Sequence, residues 1–167
     1  MLRGRVAFVL LALILSLPAA RAAEPADRAP RGAIALRVDL SDVGHRVFRV
    51  EQTIPVRPGT VTLHYPQWTP GNHAPRGPIE QLGGLTFRAG GRTLAWQRDP
   101  YDVYTFRVTV PAGVDALDVA FQVATPQTSD GGQGRVVVTS NLLGLQWNQV
   151  VLYPDGLYTR RIPVVAQ

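Results

Sequence analysis

The fold class follows from residues 104–123, which read YTFRVTVPAGVDALDVAFQV. On either side of Pro111-Ala112-Gly113, apolar side chains recur at every second position. A strand turns successive side chains to opposite faces, so this period predicts two half-buried strands joined by a turn. From residue 34 onward the alternation recurs, and no stretch there has the period of an amphipathic helix. About nine or ten short strands of this kind predict an antiparallel β-sandwich.

The other predicted strands follow from the same alternation. They cover residues 34–40, 48–54, 61–65, 85–88, 93–97, 135–138, 147–153 and 158–165. Gly90-Gly91 separates two of them and predicts a hairpin, while residues 141–145 fit a helical turn or a strand equally well. The last strand pattern is still running where the sequence stops, so we expect this domain to be part of a longer polypeptide.

The first 23 residues have the pattern of a secretory signal peptide. A basic start is followed by the apolar run Val6–Leu17 and by Ala20-Arg21-Ala22, a small-x-small cleavage motif. The run is too short for a membrane span, which needs roughly 20 residues. We therefore expect a linker at residues 24–32, a single domain at 33–167, and a periplasmic or secreted protein that leaves the membrane after cleavage. The chain has no cysteine, so neither a lipid anchor nor a disulfide is expected.

The positive charge does not indicate nucleic-acid binding. All basic residues are arginine, and the formal net charge is +5. Arg3, Arg5 and Arg21 leave with the signal peptide, which lowers the net charge to +2. Apart from Arg160-Arg161, the remaining arginines are scattered singly and form no basic patch.

Known catalytic motifs are absent. No serine lies in a nucleophile elbow, and the glycines at 131–134 are not followed by the Lys-Ser/Thr of a phosphate-binding loop. His45, His64 and His73 do not have zinc-ligand spacing, so a hydrogen-bonded loop residue is favoured over a metal ligand as the interpretation of His73. Asp99 and Asp102 fit turn capping and ion pairing better than an acid–base pair. No catalytic residue and no metal ligand is assigned.

The loop at residues 66–78 is the strongest candidate for an interaction. It carries four prolines and two glycines, which make it neither helix nor central strand. It is either a functional loop or a rigid crossover between two sheets. Of the three tryptophans, Trp96 and Trp147 lie in apolar strand patterns and are predicted to be core, which leaves Trp68 as a surface aromatic.

These residues resemble a known family. The sequence Gln67-Trp68-Thr69-Pro70-Gly71-Asn72-His73, followed by Gly77-Pro78-Ile79, resembles the Trp-x-Pro-Gly loop in the N-terminal domain of the glycyl aminopeptidase family of zinc peptidases, metallopeptidase family 61. Residues 96–104, 134–137, 145–148 and 152–156 resemble further stretches of the same domain, in the same order.

The resemblance implies a part of a larger enzyme. Family members follow this domain with a thermolysin-like peptidase domain, whose zinc is bound by His-Glu-x-x-His and a downstream Glu, and they remove N-terminal residues such as glycine and alanine. No His-Glu-x-x-His occurs in this sequence, so zinc is expected only in that other domain, and this chain is not expected to hydrolyse peptides alone.

Two functions therefore remain open. In the first, the domain packs against the peptidase domain and shapes its substrate cleft, with Trp68, Asn72 and His73 facing that cleft and peptide substrate contacted indirectly. In the second, it is a free-standing periplasmic module that binds peptide or glycan. The first predicts an exposed apolar surface where the peptidase domain docks, whereas the second predicts none.

Overall fold

The structure is a computed structural model that describes residues 30–125, 136–139 and 141–167. Nearly all regular structure in these ranges is β. The strands are β1 (Ile34–Asp39), β2 (Val47–Pro55), β3 (Gly59–His64), β4 (Leu82–Ala89), β5 (Arg92–Leu94), β6 (Trp96–Arg98), β7 (Thr105–Val110), β8 (Ala116–Ala124), β9 (Val137–Val138), β10 (Leu143–Gly144), β11 (Tyr153–Pro154) and β12 (Val164–Ala166). Short 3-10 turns occupy Ile79–Gln81, Trp147–Gln149 and Thr159–Arg161.

Two sheets pack face to face, as the alternating pattern predicts. The larger sheet has the order β12-β1-β2-β8-β4-β5, and the smaller one the order β11-β3-β7-β6. Strands β9 and β10 form a separate two-stranded sheet. The apolar faces of the two sheets meet in one core that includes Phe48, Phe87, Phe106 and Phe121. The prediction of a β-sandwich is therefore confirmed.

The centre of the larger sheet consists of β2 and β8, nine residues each. They pair antiparallel along their whole length, with Val50 opposite Phe121. In both strands every second side chain is buried, so a slip of one residue would turn the apolar set out to water. This requirement fixes the register.

The hairpin at Gly90-Gly91 is confirmed, and both glycines have positive φ, as a two-residue turn of this kind requires. Its second strand, however, does not continue as one element through residue 97. At Ala95 the chain leaves the larger sheet, where β5 pairs with β4, and enters the smaller sheet, where β6 pairs with β7. Trp96 then packs edge to face against Phe87 of one sheet and Phe106 of the other, at 6.0 and 5.7 Å between ring centroids. Trp96 is partly buried and packs against the core, so the prediction that it belongs to the core is confirmed in part.

Two strand predictions near the end of the chain are wrong in part. Within 147–153, residues Trp147–Gln149 form a 3-10 turn and only Tyr153 pairs in β11. Within 158–165, Thr159–Arg161 form a second such turn, and the strand begins at Val164. That strand, β12, pairs with β1 in parallel, which makes the larger sheet mixed at its edge. The other strand pairs are antiparallel, as expected.

Several predictions lie outside the described residues. The signal peptide at 1–23, most of the linker at 24–32 and the glycine-rich stretch at 128–134 belong to this group. In the ranges that the structure describes, no helix has the length and apolar character needed to cross a bilayer.

Candidate interaction site at one end of the sandwich

Three loops leave the same end of the smaller sheet. Strand β3 ends at His64, which lies opposite both Thr105, the first residue of β7, and Tyr153, the first residue of β11. The loops that adjoin these positions therefore emerge together. We call them, with residues 65–78, 99–104 and 145–152, the loop end.

The first loop is closed by short contacts within itself. The Gly77 N–H donates to Gln67 O at 2.9 Å, which joins the two ends of the loop. A Cβ on Gly77 would lie 1.9 Å from Pro66 O, so only glycine allows this backbone approach. The Asn72 side-chain amide donates to Thr69 Oγ1 at 2.6 Å, and Thr69 is buried. Proline content and these bonds together hold the loop in one shape.

The candidate side chains of this loop have different surroundings. The Trp68 side chain is 64% exposed, and His73 is exposed as well. Asn72 is half-buried because its amide is directed to Thr69. The prediction that Trp68 lies at the surface is confirmed. Whether Trp68, Asn72 or His73 faces a substrate cleft stays a prediction.

The second loop, between β6 and β7, is organised by two aspartates. Asp99 Oδ1 accepts hydrogen bonds from the N–H groups of Tyr101 (2.9 Å) and Asp102 (3.0 Å), and Arg107 contacts Asp99 Oδ2 at 2.6 Å. These bonds, that from the Tyr101 N–H foremost, hold the pKa of Asp99 below its ordinary value. Asp102 caps the same turn by accepting from the Tyr104 N–H. Turn capping and ion pairing are therefore the observed roles, as the sequence indicates.

The capped turn presents Tyr101 to solvent. Its side chain is 97% exposed, and the neighbouring Val103 is exposed too. The second loop also contacts the first, because the Tyr104 hydroxyl donates to Gly77 O at 2.9 Å. Tyr65 and Tyr104 stack nearby, with 6.5 Å between ring centroids.

The third loop, residues 145–152, has buried residues at its C-terminal end and an exposed tryptophan at its 3-10 turn. Val150 and Leu152 are fully buried, and the Tyr65 hydroxyl donates to Gln149 O at 2.9 Å. Burial in this contact raises the pKa of the Tyr65 hydroxyl well above its ordinary value. Trp147, at the start of the 3-10 turn, is 49% exposed. The prediction of a core Trp147 is therefore wrong, because the turn breaks the alternation on which that prediction rests.

A polar chain runs beneath the three loops. Thr105 Oγ1 donates to Asp102 Oδ2 at 2.6 Å and lies 2.8 Å from His64 Nδ1. The other ring nitrogen of His64 lies 3.1 Å from Asp155 Oδ1. His64 is thus a hydrogen-bonded histidine at the base of the loops.

A family model described as Peptidase M61 N-terminal domain matches residues 35–166. The chain belongs to this family. The match covers all twelve strands except the first residue of β1. This M61 N-terminal domain is therefore a peptidase-associated domain, as the resemblance implies.

The fold has a solved counterpart in a longer chain. An aminopeptidase N family protein from Idiomarina loihiensis matches with a TM-score of 0.61 and 19% sequence identity. The match covers 80% of this chain and 22% of that one, so this sequence spans less than a quarter of that protein. At this identity the similarity shows the fold. No curated protein sequence matches the chain.

Within the described part of the M61 domain, no group of three or more His, Cys, Asp or Glu side chains could hold a metal ion. His45 pairs with Asp42 at 2.7 Å in the connection between β1 and β2. The arrangement at the loop end offers exposed aromatic and apolar side chains on a braced backbone. Such a surface suits contact with another protein surface.

Sequence reasoning found one of the three loops. Tyr101 and Trp147 were missed, because the convergence of their loops depends on long-range pairing of β3 with β7 and β11. A local signal did exist for Tyr101. Asp99-Pro100 before it is a turn signature, and turns place the next side chain outside the sheet.

Proposed function

We propose that this M61 domain is the non-catalytic N-terminal part of an exported zinc aminopeptidase. Its loop end packs against the peptidase domain and forms one wall of the substrate cleft. The observation that carries this proposal is the convergence of three braced loops with exposed Trp68, Tyr101 and Trp147 in a domain of a peptidase family.

The direction of the last strand supports this orientation. Strand β8 ends at Ala124, opposite Val47 of β2, at the end of the larger sheet where β4 begins after the first loop. Strand β1 runs antiparallel to β2 towards that end, and β12 runs parallel to β1. Polypeptide that follows β12 in a longer family member is thus directed towards the loop end.

The wall contributes shape and apolar contact to the enzyme. A peptide-hydrolysing zinc site needs three protein ligands and an activated water, and these groups belong to the peptidase domain in this proposal. The substrates are peptides with a small N-terminal residue such as glycine or alanine. In the wall, Trp68 and His73 reach outward, while Asn72 acts through Thr69 on the shape of the loop.

Export is the second part of the proposal. Residues 1–23 direct the chain through the membrane and are removed, so the domain works in the periplasm or outside the cell. The support for this part is the order of basic start, apolar run and small-x-small motif in the sequence.

The test uses a full-length family member that carries the peptidase domain. Its tryptophan at the position of Trp68 is replaced by alanine, and kcat and KM are measured with glycyl and alanyl amide substrates. We expect kcat/KM to fall about tenfold. This loss corresponds to about 1.4 kcal/mol, the usual effect of removing one contact residue that is buried in an interface. An alanine at the position of Arg57, which lies in the β2–β3 turn at the opposite end, is the control. Unchanged kcat and KM in the tryptophan variant would contradict the cleft role.

A further inference from the structure

His64 lies where three segments of the smaller sheet meet, and each of its ring nitrogens makes a hydrogen bond. Nδ1 lies 2.8 Å from Thr105 Oγ1 at the start of β7, and Nε2 lies 3.1 Å from Asp155 Oδ1 directly after β11. Thr105 Oγ1 is in turn 2.6 Å from Asp102 Oδ2 of the second loop. The ring therefore joins β3 to both of its neighbouring strands.

The donors in this chain of bonds can be assigned from its two ends. A carboxylate only accepts hydrogen bonds, so the Thr105 hydroxyl gives its one proton to Asp102. The hydroxyl oxygen then accepts from His64, which requires a proton on Nδ1. At the other end Asp155 also only accepts, which requires a proton on Nε2. The three bonds exist together only when the ring carries both protons and is an imidazolium.

Other ionisable side chains near this ring are Tyr153, Arg107 and Asp99. Tyr153 lies opposite His64 on β11, with 5.6 Å between the ring centroids. Burial, followed by two nearby carboxylates, raises the pKa of the Tyr153 hydroxyl, which is therefore uncharged near neutral pH. Arg107 lies two positions along β7 and is paired with Asp99 at 2.6 Å. The ring thus faces one carboxylate directly, that of Asp155, and a second one through Thr105.

We propose that His64 is a proton-dependent tie that holds β11 to β3. Histidine side chains exchange their second proton close to neutral pH, and its loss leaves the ring one donor for two acceptors. The bond to Asp155 is the one that is released, because it is the longer of the two and 65% of the Asp155 side chain is exposed to water. Backbone pairing compensates little, since β11 has two residues and one of them, Pro154, has no N–H. At higher pH we therefore expect β11 to separate from β3 more often.

The tie acts at the base of the loop end but does not depend on what the loop end binds. Leu152, directly before β11, is fully buried and is expected to stay in place, so the change is confined to residues 153–156. The inference therefore goes beyond the proposed function. It is tested in this chain alone, whereas the loop-end proposal is tested through kcat and KM, and either can fail without the other.

The first measurement is the protonation of the ring itself. Nitrogen-15 chemical shifts of both His64 ring nitrogens are recorded by NMR on the full chain from about pH 5 to about pH 8.5, and their loss in His64→Gln assigns them. We expect both nitrogens to be protonated at the lower pH and Nδ1 alone at the higher pH, because its bond to Thr105 retains the proton. A neutral ring that keeps its proton on Nε2 would overturn the proposal, since the bond to Asp155 would then survive.

The second measurement is the pairing of β11. The Asp155 N–H donates to Thr62 O at 3.0 Å, and its protection factor in hydrogen exchange is measured over the same pH range. We expect this protection to fall about two- to fivefold from low to high pH, which is the size of a largely exposed ion pair. The Val56 N–H, which donates to Asp115 O at 2.8 Å beyond the end of β2, is the control amide and should keep its protection.

Asp155→Asn is the matched variant. The side-chain amide can accept a hydrogen bond from a protonated ring and donate one to a neutral ring, so the bridge to His64 no longer depends on the second proton. Protection of the backbone amide at position 155 should then stay level over the whole pH range. An equal fall in this variant, or no fall in the unsubstituted chain, would overturn the proposal.

Discussion

Gln52 and Leu152 are a hundred residues apart and are joined by two hydrogen bonds. Gln52 Nε2 donates to Leu152 O at 3.1 Å, and the Leu152 N–H donates to Gln52 Oε1 at 2.8 Å. The buried side-chain amide of Gln52, in β2 of the larger sheet, thus takes the place of a backbone partner for Leu152, which directly precedes β11 of the smaller sheet. It satisfies both peptide groups of Leu152 and holds the segment that carries Trp147.

Replacing Gln52 by leucine should lower the free energy of unfolding by about 2–4 kcal/mol. The change keeps the side chain's volume but leaves two buried backbone groups of Leu152 unpaired, at about 1–3 kcal/mol each. Urea unfolding followed by circular dichroism measures the difference.

Gln122→Leu is the matched control for this experiment. Gln122 lies on the exposed face of the same sheet, so the same chemical change there should alter stability by less than about 0.5 kcal/mol. Equal losses in the two variants would show that the bonds to Leu152 contribute nothing.

Gly77→Ala should destabilise the first loop and the domain by about 1–3 kcal/mol, the usual cost of overpacking. The added methyl group would collide with Pro66 O, which is backbone and cannot rotate away. Gly44→Ala is the control, because nothing lies within 4 Å of a Cβ there. Thermal unfolding reports the effect, and an unchanged melting temperature for Gly77→Ala would refute the close approach.

The tryptophans should divide into two classes. Trp96→Ala should cost about 3–5 kcal/mol, because the ring packs between Phe87 and Phe106 and leaves a cavity between the sheets. Trp68→Ala and Trp147→Ala should each cost far less, because these rings are largely outside the core. Denaturant unfolding of the three variants measures the order. A loss for Trp68→Ala as large as that for Trp96→Ala would place Trp68 in the core.

Asp99→Asn should lower the melting temperature at pH 7, and the difference from the unsubstituted protein should shrink in acid. The pKa of Asp99 is lowered in the folded state, so its contribution is present above its ordinary value of 3.8 and is lost as the pH falls through the folded pKa. Melting curves at pH 7 and at several values below 3.8 test this.

Asp115→Asn supplies the comparison for charge alone, since Asp115 is an exposed residue of the β7–β8 turn. It should change the melting temperature little at pH 7. If the Asp99→Asn difference persisted unchanged into strong acid, the capping and ion-pair contribution of this carboxylate would be disproved.

The sequence predicts the parts of the fold that depend on local patterning. The alternation in β2 and β8 and the glycines at 90–91 indicate the strands and the hairpin correctly, because period and turn chemistry act over a few residues. The same pattern does not say to which sheet a strand belongs. It therefore gave no sign that the chain changes sheets at Ala95.

Non-local contacts account for the remaining errors. The stretch 147–153 was predicted as a strand, yet Trp147–Gln149 turns because Leu152 is held by Gln52 and Gln149 by Tyr65. The parallel pairing of Val164 with Ile34 joins opposite ends of the domain, which no short pattern encodes. At the candidate site, Trp68 was found from its proline-rich loop, whereas the contribution of Tyr101 and Trp147 required the strand registers.

The change of sheets at Ala95 also determines on which side the two sheets of the sandwich can separate. There the backbone passes directly from β5 of the larger sheet to β6 of the smaller sheet, and the Trp96 ring packs between the two sheets. This side of the sandwich therefore holds the two sheets together. Strands β11 and β12 form the outer margins of the two layers on the opposite side. Opening motions should therefore begin on the side of β11 and β12, away from Ala95.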